Sequence, residues 1–466
     1  MRCLVLIALL LGIAPAHATD SCTAFVDVTV VDSDRPALDP HRTVEVRGDR
    51  ILSVGNGPAS ASCQKIDGQG RYLIPGLVDS HVHVFGYSRA GEGDLRTEHA
   101  ILAMLLANGV TTAVIMEGSP ATLRLRQQVN SGRILGPTLY TAGPLIQAPD
   151  TGAPPGRQTF ATPEDVRREV ESERRLGYDF VKVHGGMPRE TYAALLDTAK
   201  RLGLPVIGHV PDNLGIDAAL EGGQVMIAHA ESYLQTYFEF ERKLPTDLAE
   251  IDRMTHEVAA RTAKAKIYVQ PTLSVFRQII DQVADPEPLL QRPEMSILPA
   301  ATLRDWLPDR NPYLHHWTVN DIAHFRAEYA VMQKLVRALR DAGVPLLVGT
   351  DDMVPVQLPG FSVPDELRQL QEAGLSPFEV LQAATATSAR FLGHEHDRGA
   401  VKPGYAADLV LLEANPLETA GNLARQAGVM VHGRWLSEGE LQDSLWARPQ
   451  VPMNDSAGTH HGSHNR

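Results

Sequence analysis

Between Leu77 and about Leu392, short apolar segments alternate with amphipathic stretches, and this alternation limits the possible folds more than any other feature. The apolar segments have the length and the β-branched content of buried strands, and the stretches between them have helical periodicity. Eight strands in such alternation predict a (β/α)8 TIM barrel, a fold of the α/β class. A doubly wound sheet gives a similar pattern, but no Gly-x-Gly-x-x-Gly follows the first strand to favour a nucleotide-binding version.

The strands and helices of the predicted barrel can be placed along the chain from this pattern. The strands are predicted at 77–83, 112–116, 139–142, 180–184, 206–209, 226–229, 267–271 and 346–351. Helices are predicted at 98–106, 164–176, 189–202 and 321–341. Between the last two strands, the segment from Asp281 to about Tyr313 is rich in proline and polar residues, which predicts a long loop over the barrel mouth.

Short β-prone segments separated by turns occur before the barrel and again after it. They are found at 24–31, 43–47, 51–54, 72–74, 407–412 and 429–435. We therefore expect a small β-sandwich domain formed from both chain ends, with residues 19–76 and 393–440 on either side of a catalytic barrel at 77–392. Residues 441–466 end in Asn, Ser, Gly and His and are predicted to be a disordered tail.

The first eighteen residues have the pattern of an export signal. Arg2 precedes an apolar run from Leu4 to Ile13, and the small-residue motif Ala16-His17-Ala18 follows it. This run is too short to span a bilayer and is typical of a signal peptide, here residues 1–18, cleaved after Ala18. We expect an exported protein, periplasmic or secreted, without a membrane span.

Export changes the interpretation of the cysteines. Cys3 would leave with the signal peptide, so that Cys22 and Cys63 remain. Two cysteines in an oxidising compartment predict one disulfide, with two free buried thiols as the alternative.

The charge of the chain narrows the class of partner. The formal net charge is −13, and no cluster of Lys and Arg is dense enough to follow a phosphate backbone. Nucleic acid is therefore excluded as an expected partner. We expect a small-molecule substrate, and a homo-oligomer is left open.

Six side chains that suit metal chemistry fall at or near the carboxyl ends of five predicted strands. They are His81, His83, Lys182, His209, His229 and Asp351. In a barrel those strand ends meet at one mouth, and two residues spaced two apart on a strand, such as His81 and His83, point to the same face. Imidazole and carboxylate groups are the usual ligands of Zn²⁺ and similar divalent ions.

Each of these residues alone has an ordinary explanation. A His-x-His pair is expected by chance in a chain with 18 histidines, and a carboxylate such as Asp351 can cap the segment that follows. A lone lysine is usually solvated, but Lys182 is set in Phe-Val-Lys-Val, where an unpaired ammonium group would be unfavourable. Taken together, the six residues predict a metal-dependent hydrolase.

The segment Val78-Asp79-Ser80-His81-Val82-His83, with Pro75-Gly76 before it, resembles the opening signature of the amidohydrolase superfamily. The resemblance continues at 207–211, 228–229, 347–351 and 399–411, and it covers residues 24–435. Within the superfamily, the run from Asp179 to Pro211 is most similar to the prolidase-type (Xaa-Pro or Xaa-Xaa) metallodipeptidases. The related imidazolonepropionase-like group uses one metal and lacks the bridging lysine.

This resemblance implies a binuclear centre, with Zn²⁺ as the expected metal. One ion would be held by His81, His83 and Asp351, the other by His209 and His229, and a CO₂-derived carbamate on Lys182 would bridge them. A hydroxide between the ions would attack the substrate carbonyl, and Asp351 would carry the proton of the water to the leaving amine.

The expected substrate is a dipeptide or an N-acyl amino acid, and both carry a free carboxylate that the site must bind. Tyr233 and Arg277 are candidates by position, and His184 faces the site if it shares the strand face of Lys182. One alternative keeps the same centre but cleaves a lactone, a cyclic amide or a phosphotriester. Another is an exported metal- or peptide-binding protein with no activity.

Overall fold

The structure, a computed structural model, describes residues 21–85, 94–149 and 158–446. The predicted signal peptide and the chain beyond Trp446 lie outside the described residues. The described chain is organised by a seven-stranded parallel sheet and an eight-stranded mixed sheet. None of its helices is long and apolar enough to cross a membrane.

The strands are β1 (Cys22–Val31), β2 (Leu38–Arg47), β3 (Arg50–Gly55), β4 (Gln64–Asp67), β5 (Tyr72–Pro75), β6 (Leu77–Val82), β7 (Val110–Ile115), β8 (Thr138–Ile146), β9 (Phe180–Val183), β10 (Val206–Gly208), β11 (Met226–Ala228), β12 (Tyr268–Gln270), β13 (Leu409–Leu412), β14 (Gln426–Val431) and β15 (Arg434–Ser437).

The helices are α1 (Leu95–Ala107), α2 (Pro120–Asn130), α3 (Pro163–Leu176), α4 (Arg189–Leu202), α5 (Asp217–Gly222), α6 (Ala230–Tyr233), α7 (Leu248–Ala265), α8 (Leu273–Ala284), α9 (Glu287–Leu290), α10 (Ala300–Trp306), α11 (Pro312–His316), α12 (Ile322–Asp341), α13 (Val363–Glu372), α14 (Pro377–Ala384), α15 (Ala386–Phe391) and α16 (Glu438–Trp446).

The parallel strands β6 to β12 lie side by side in chain order, as successive βα units require. The extended segment at 345–351 closes this sheet, since Val269 N–H donates to Pro345 O at 3.0 Å and Asp351 N–H donates to His81 O at 2.8 Å. The predicted barrel is therefore confirmed. Its eighth strand, predicted at 346–351, joins its neighbours by single hydrogen bonds and one bridge rather than by a regular ladder.

The helices around the barrel are amphipathic, and α3 shows how local sequence defines one. Thr162 caps its start by accepting a hydrogen bond from Asp165 N–H. Val166 and Val170, four residues apart, are fully buried against the sheet. Gly177 ends the helix with a φ of 85°, a left-handed conformation that suits glycine.

The mixed sheet is built from both chain ends, as predicted. Strand β5 from the N-terminal part pairs antiparallel with β13 from the C-terminal part. Strand β1 pairs with β2 along one edge and with β4 and then β5 along the other, so that the sheet forks at β1. A disulfide joins Cys22 to Cys63, 41 residues apart in sequence, and ties the start of β1 to the turn before β4.

The segment 281–313, predicted as a long loop, is largely helical and thereby corrects that prediction. Helix α8 extends to Ala284, and α9, a 3₁₀ turn at Pro293–Ile297, α10 and α11 follow it. Prolines occupy the first turn of α9, of the 3₁₀ turn and of α11, where a missing N–H costs no hydrogen bond. The proline content therefore marks helix starts.

The beginning of the predicted disordered tail also needs correction. Residues 441–446 lie in α16, which packs against α1. Leu441 and Leu445, four residues apart, are buried at this contact and account for the helix.

Candidate metal centre

At the mouth of the barrel, His81, His229 and Asp351 place ligand atoms within 4.8 Å of one another. The Nε2 atoms of His81 and His83 each lie 3.0 Å from Oδ1 of Asp351 and 3.2 Å from each other. Nε2 of His229 lies 4.0 Å from Oδ2 of Asp351. Nitrogen and oxygen atoms from the first, sixth and eighth barrel positions thus surround a space of the size that a divalent ion requires.

The remaining two predicted ligands lie on the other side of this cluster. The ring centroid of His209 is 4.5 Å from that of His229. Lys182 is 1% exposed, and neither its Nζ nor Nδ1 of His209 has a hydrogen-bond partner within the described chain. Burial lowers the pKa of Lys182 to about 8, although the charges of Asp351 and Glu117 oppose this shift.

The tautomer of His81 follows from a hydrogen-bond relay that begins at a backbone carbonyl. The Ser80 hydroxyl donates to Val348 O, so Ser80 Oγ can accept a hydrogen bond from Gln270 Nε2. This orientation presents Gln270 Oε1 to Nδ1 of His81 at 2.6 Å. Nδ1 must therefore carry the proton, and the lone pair of Nε2 points into the cluster, as a metal ligand requires.

The tautomer of His229 is determined in the same way. The Thr272 hydroxyl donates to Pro271 O at 2.9 Å and accepts from Nδ1 of His229 at 2.6 Å. Nε2 of His229 is therefore the unprotonated nitrogen. Gln270 and Thr272 were missed by the sequence analysis, although they are polar residues at and just after the end of β12, the same signal that identified the histidines.

The charge states in the cluster suit a cation. Burial lowers the pKa of His81 to about 4, and it lowers the pKa values of His209 and His229 well below the ordinary value. Burial alone would raise the pKa of Asp351, but its close contact with the imidazoles of His81 and His83 holds it well below its usual range. Neutral imidazole and ionised carboxylate are the forms that bind metal ions.

The backbone is strained at the residues that present these groups. Asp351, His229 and Thr272 have φ values of 52°, 68° and 47°, in the left-handed region that residues other than glycine seldom occupy. Such strain persists only where the surroundings fix the conformation, and it is concentrated at functional sites. Here it turns two predicted ligands and one supporting side chain towards the same mouth.

The three predicted substrate residues have different positions. His184 lies at the mouth, with its ring centroid 4.5 Å from that of His209 and its Nδ1 2.9 Å from Gln147 Oε1. Tyr233 is fully buried, and its hydroxyl bonds Thr262 on α7 at 3.1 Å.

The position of Arg277 corrects the third prediction. Its side chain is 52% exposed and pairs with Asp281 one turn further along α8. The printed polar contacts of Tyr233 and Arg277 thus go to helical residues and not to the metal-ligand cluster. Both are placed by the helices they belong to, so nearness in sequence to a strand end was misleading for them.

Two further polar residues near the mouth were also missed. Glu117 follows β7 and places Oε2 4.0 Å from Nδ1 of His83, and Gln147 follows β8 and contacts His184. Glu117 comes directly after the strand predicted at 112–116, so the rule that selected the histidines would have found it had it been applied to all polar residue types. Gln147 lies five residues beyond the strand predicted at 139–142, which in the structure extends to Ile146.

Comparison with known proteins agrees with this geometry. The model of the Amidohydrolase family matches residues 72–436, well over half of the chain. The chain belongs to the amidohydrolase family. The predicted recognition is thereby confirmed, and with it the prediction of a hydrolase that acts on amide bonds.

Among curated amidohydrolase relatives, imidazolonepropionase of Rubrobacter xylanophilus is 25% identical over 399 residues, which are 80% of this chain and 84% of that protein. Ochratoxinase of Aspergillus niger is 24% identical over 398 residues, covering 74% and 71% of the two chains. Among solved structures, bottromycin amidohydrolase superposes with a TM-score of 0.72 at 25% identity, over 91% of this chain and 89% of that one. A Xaa-Pro dipeptidase with bound methionine gives 0.67 at 20% identity, over 90% and 100%, which shows the shared fold.

Proposed function

We propose that this amidohydrolase is an exported, binuclear metal-dependent enzyme that hydrolyses an amide bond of a dipeptide or an N-acyl amino acid. The observation that carries the proposal is the composition of the mouth, where imidazoles, a carboxylate and a buried lysine amine converge. The buried and unpaired Nζ of Lys182 and Nδ1 of His209 add to this set, since such nitrogen atoms are unfavourable without a ligand.

In this proposal the first ion is held by His81, His83 and Asp351, whose ligand atoms already lie 3.0–3.2 Å apart. His209 and His229 hold the second ion. We expect Zn²⁺, because its preferred ligands are the imidazole nitrogen and carboxylate oxygen atoms that this mouth presents. When bound, the ions supply Lewis-acid activation of water and of the substrate carbonyl.

Lys182 supplies the bridge between the two positions. Its neutral amine attacks CO₂, a nitrogen–carbon bond forms, and one proton leaves, so that a buried cation becomes an anionic carbamate with two ligand oxygens. Because burial lowers the pKa of Lys182 to about 8, a useful fraction of the amine is neutral near pH 7. Bicarbonate in the buffer should then favour the loaded enzyme.

Asp351 performs the proton transfer. Its ionised carboxylate is 7% exposed and touches His81 and His83 through one oxygen, while the other faces His229. This carboxylate can accept a proton from water at the mouth and deliver it to the leaving nitrogen of the substrate. The amide nitrogen needs that proton, because an amine anion is a poor leaving group.

The substrate assignment rests on the relatives as well as on the site. Bottromycin amidohydrolase and the Xaa-Pro dipeptidase are named for amide or dipeptide substrates, and both share the fold of this chain over most of its length. The position of His184, whose ring lies next to that of His209, supports a contact with the substrate. We assign that contact to His184. Tyr233 and Arg277 are not assigned the role of binding its carboxylate.

A substrate screen tests the activity. The exported protein is stripped of metal, reloaded with Zn²⁺ in bicarbonate, and supplied with Xaa-Pro and other dipeptides, N-acyl amino acids, cyclic amides, lactones and phosphotriesters. We expect turnover of dipeptides or N-acyl amino acids, and Asp351→Asn should lower kcat by about 10²- to 10⁴-fold with the fold intact by circular dichroism. Turnover of lactones or phosphotriesters alone would contradict the assignment. Metal binding without any turnover would favour a binding protein.

Export is tested separately. The full chain is expressed in a Gram-negative host, and the periplasm and medium are separated from the cytoplasm. We expect the protein outside the cytoplasm, beginning at Thr19 and carrying a disulfide between Cys22 and Cys63. A chain that retains residues 1–18 and stays in the cytoplasm would contradict this part of the proposal.

A further inference from the structure

The seam that closes the barrel lies between β6 and the segment 345–352, and it is not held by a regular ladder. Two backbone bonds cross it at 3.0 and 2.8 Å, from Ser80 N–H to Val348 O and from Asp351 N–H to His81 O. Three of the proposed metal ligands, His81, His83 and Asp351, stand on this seam. Any other contact that fixes these two segments relative to each other therefore helps to determine the position of the metal.

The first such contact is made by the carboxyl group of Asp79, which is fully buried. Its Oδ1 accepts the backbone N–H groups of both His81 and Thr350, each at 3.1 Å. Its Oδ2 accepts the Thr350 hydroxyl at 2.7 Å. One carboxylate on β6 thus takes the place of carbonyl partners in a ladder and binds the residue next to Asp351 through two groups.

The second such contact is made by a residue of the segment 345–352, on the opposite side of the seam. Asp352, also fully buried, accepts the backbone N–H of His83 with Oδ1 at 2.8 Å. The arrangement is reciprocal, since the acid from each segment binds the backbone of the other segment beside a ligand. Together these carboxyl oxygens accept backbone N–H groups on both segments, so they hold the seam at the places where the ladder bonds are missing.

We propose that Asp79 and Asp352 form a carboxylate clasp that positions His81, His83 and Asp351 for one ion of the centre. The inference rests on the proposed metal centre and distinguishes the residues that bind the metal from those that position the ligands. Asp79 and Asp352 are positioning residues, because they contact the backbone at or next to the metal ligands and do not bind the metal themselves. Their sequence positions, next to ligands on both segments, allow a clasp of this shape.

The clasp should act on one ion only, because the second ion position is supported by other groups. His229 is oriented by Thr272, which follows β12 and bonds Nδ1 at 2.6 Å. His209 follows β10, and its backbone N–H donates to Val183 O at 3.0 Å. These contacts do not cross the seam, so a change at the seam should leave the second ion position as it is.

Matched variants test this division. Thr350→Val removes the hydroxyl that binds Asp79 and keeps the size of the side chain, and Thr272→Val does the same for the hydroxyl that orients His229. Chelator-stripped protein is titrated with Co²⁺ in bicarbonate, and its d–d absorption reports each equivalent bound. We expect Thr350→Val to weaken one equivalent by about 10- to 100-fold and leave the other unchanged, as is usual for partners of metal ligands.

The identity of the weakened equivalent is tested by second substitutions. In the Thr350→Val background, His209→Ala should abolish the remaining tight equivalent, whereas His83→Ala should leave it in place. Thr272→Val should show the opposite pattern. Thr350→Ser, which restores a hydroxyl, should bind Co²⁺ like the parent chain.

Several results would overturn the clasp. Parent-like binding of both equivalents by Thr350→Val is one, and equal weakening of both equivalents together with a lower melting temperature of the metal-free protein is another. If Thr350→Val does not fold, Asp352→Ala, which removes the oxygen that accepts the His83 N–H, must weaken the same equivalent. The proposed function fails by a different result, namely a parent chain that binds two equivalents of Co²⁺ but cleaves no amide.

Discussion

The two halves of the barrel mouth are built differently. In the seam half, formed by β6 and 345–352, most of these polar atoms have partners. His81 and His83 contact Asp351, and buried carboxyl oxygens accept backbone N–H groups, although Oδ2 of Asp352 has no partner among the described residues. In the far half, formed by β9 to β11, the amine of Lys182 and Nδ1 of His209 have no hydrogen-bond partner among the residues described.

This difference separates the polar groups that are bonded within the chain from those that need a bound ligand as a partner. The seam half is therefore positioned mainly by contacts within the chain. A buried donor left without a partner costs about 1–3 kcal/mol, so the proposed carbamate and ion would stabilise the far half by completing it. We therefore expect changes in the far half to alter the metal content most.

The largest effect on metal content is expected from Lys182→Ala, which removes the proposed bridge. The variant should bind one ion fewer than the parent, and kcat should fall by about 10²- to 10³-fold because an ion that supplies several kcal/mol of charge stabilisation is lost. Metal analysis and kinetics in bicarbonate measure both quantities. Lys200→Ala, an exposed lysine on α4, is the matched control and should match the parent. An unchanged metal count in Lys182→Ala would refute the carbamate bridge.

Many of the residues at the mouth could be predicted from the sequence, because a barrel brings the carboxyl ends of its strands together. Apolar runs ended at His81, His209, His229 and Asp351, and parallel strands bring such ends to one side. The ends of the predicted strands were therefore enough to group these residues, and the number of residues between them was not needed. The relation between the chain ends also followed, since a β segment without a partner at one end has to find one at the other.

Other features depend on backbone angles and on long-range contacts that a single sequence does not contain. His229 has a φ of 68°, and the chain enters α6 immediately after it, which turns Tyr233 towards Thr262 on α7. A reader of the sequence would instead continue the strand direction. The role of Asp79 was equally hidden, because its partner Thr350 lies 271 residues away.

Gly349→Ala tests how closely the seam half is packed. A Cβ at this position would lie 2.5 Å from Cδ of Gln270, the side chain that orients His81. We expect a loss of about 1–3 kcal/mol in the free energy of unfolding, as for other overpacked sites, together with weaker binding of one ion. Urea unfolding and Co²⁺ titration measure these effects. Gly421→Ala, in an open turn, should change neither.

The smallest effect on metal binding and catalysis is expected behind the far half, at Glu173 on α3. This side chain is fully buried, and both carboxylate oxygens are unpaired within the described chain. Like Lys182 it is a buried group without a partner, but it lies outside the mouth, next to Gly143 of β8. No ligand is expected to complete it, so it should reduce stability without serving catalysis.

Its pH dependence makes this distinction measurable. Burial, with the charge of Glu169, raises the pKa of Glu173 well above its ordinary 4.5, so stability is fully present below that value and is lost as pH rises through the folded-state pKa. Glu173→Met should therefore gain about 1–3 kcal/mol in the free energy of unfolding at pH 8, with the gain shrinking towards pH 5 and kcat unchanged. Glu171→Gln, exposed on the same helix, should differ little from the parent at either pH. A gain independent of pH would show that Glu173 is ionised in the fold and that the far half tolerates buried charge outside the mouth as well.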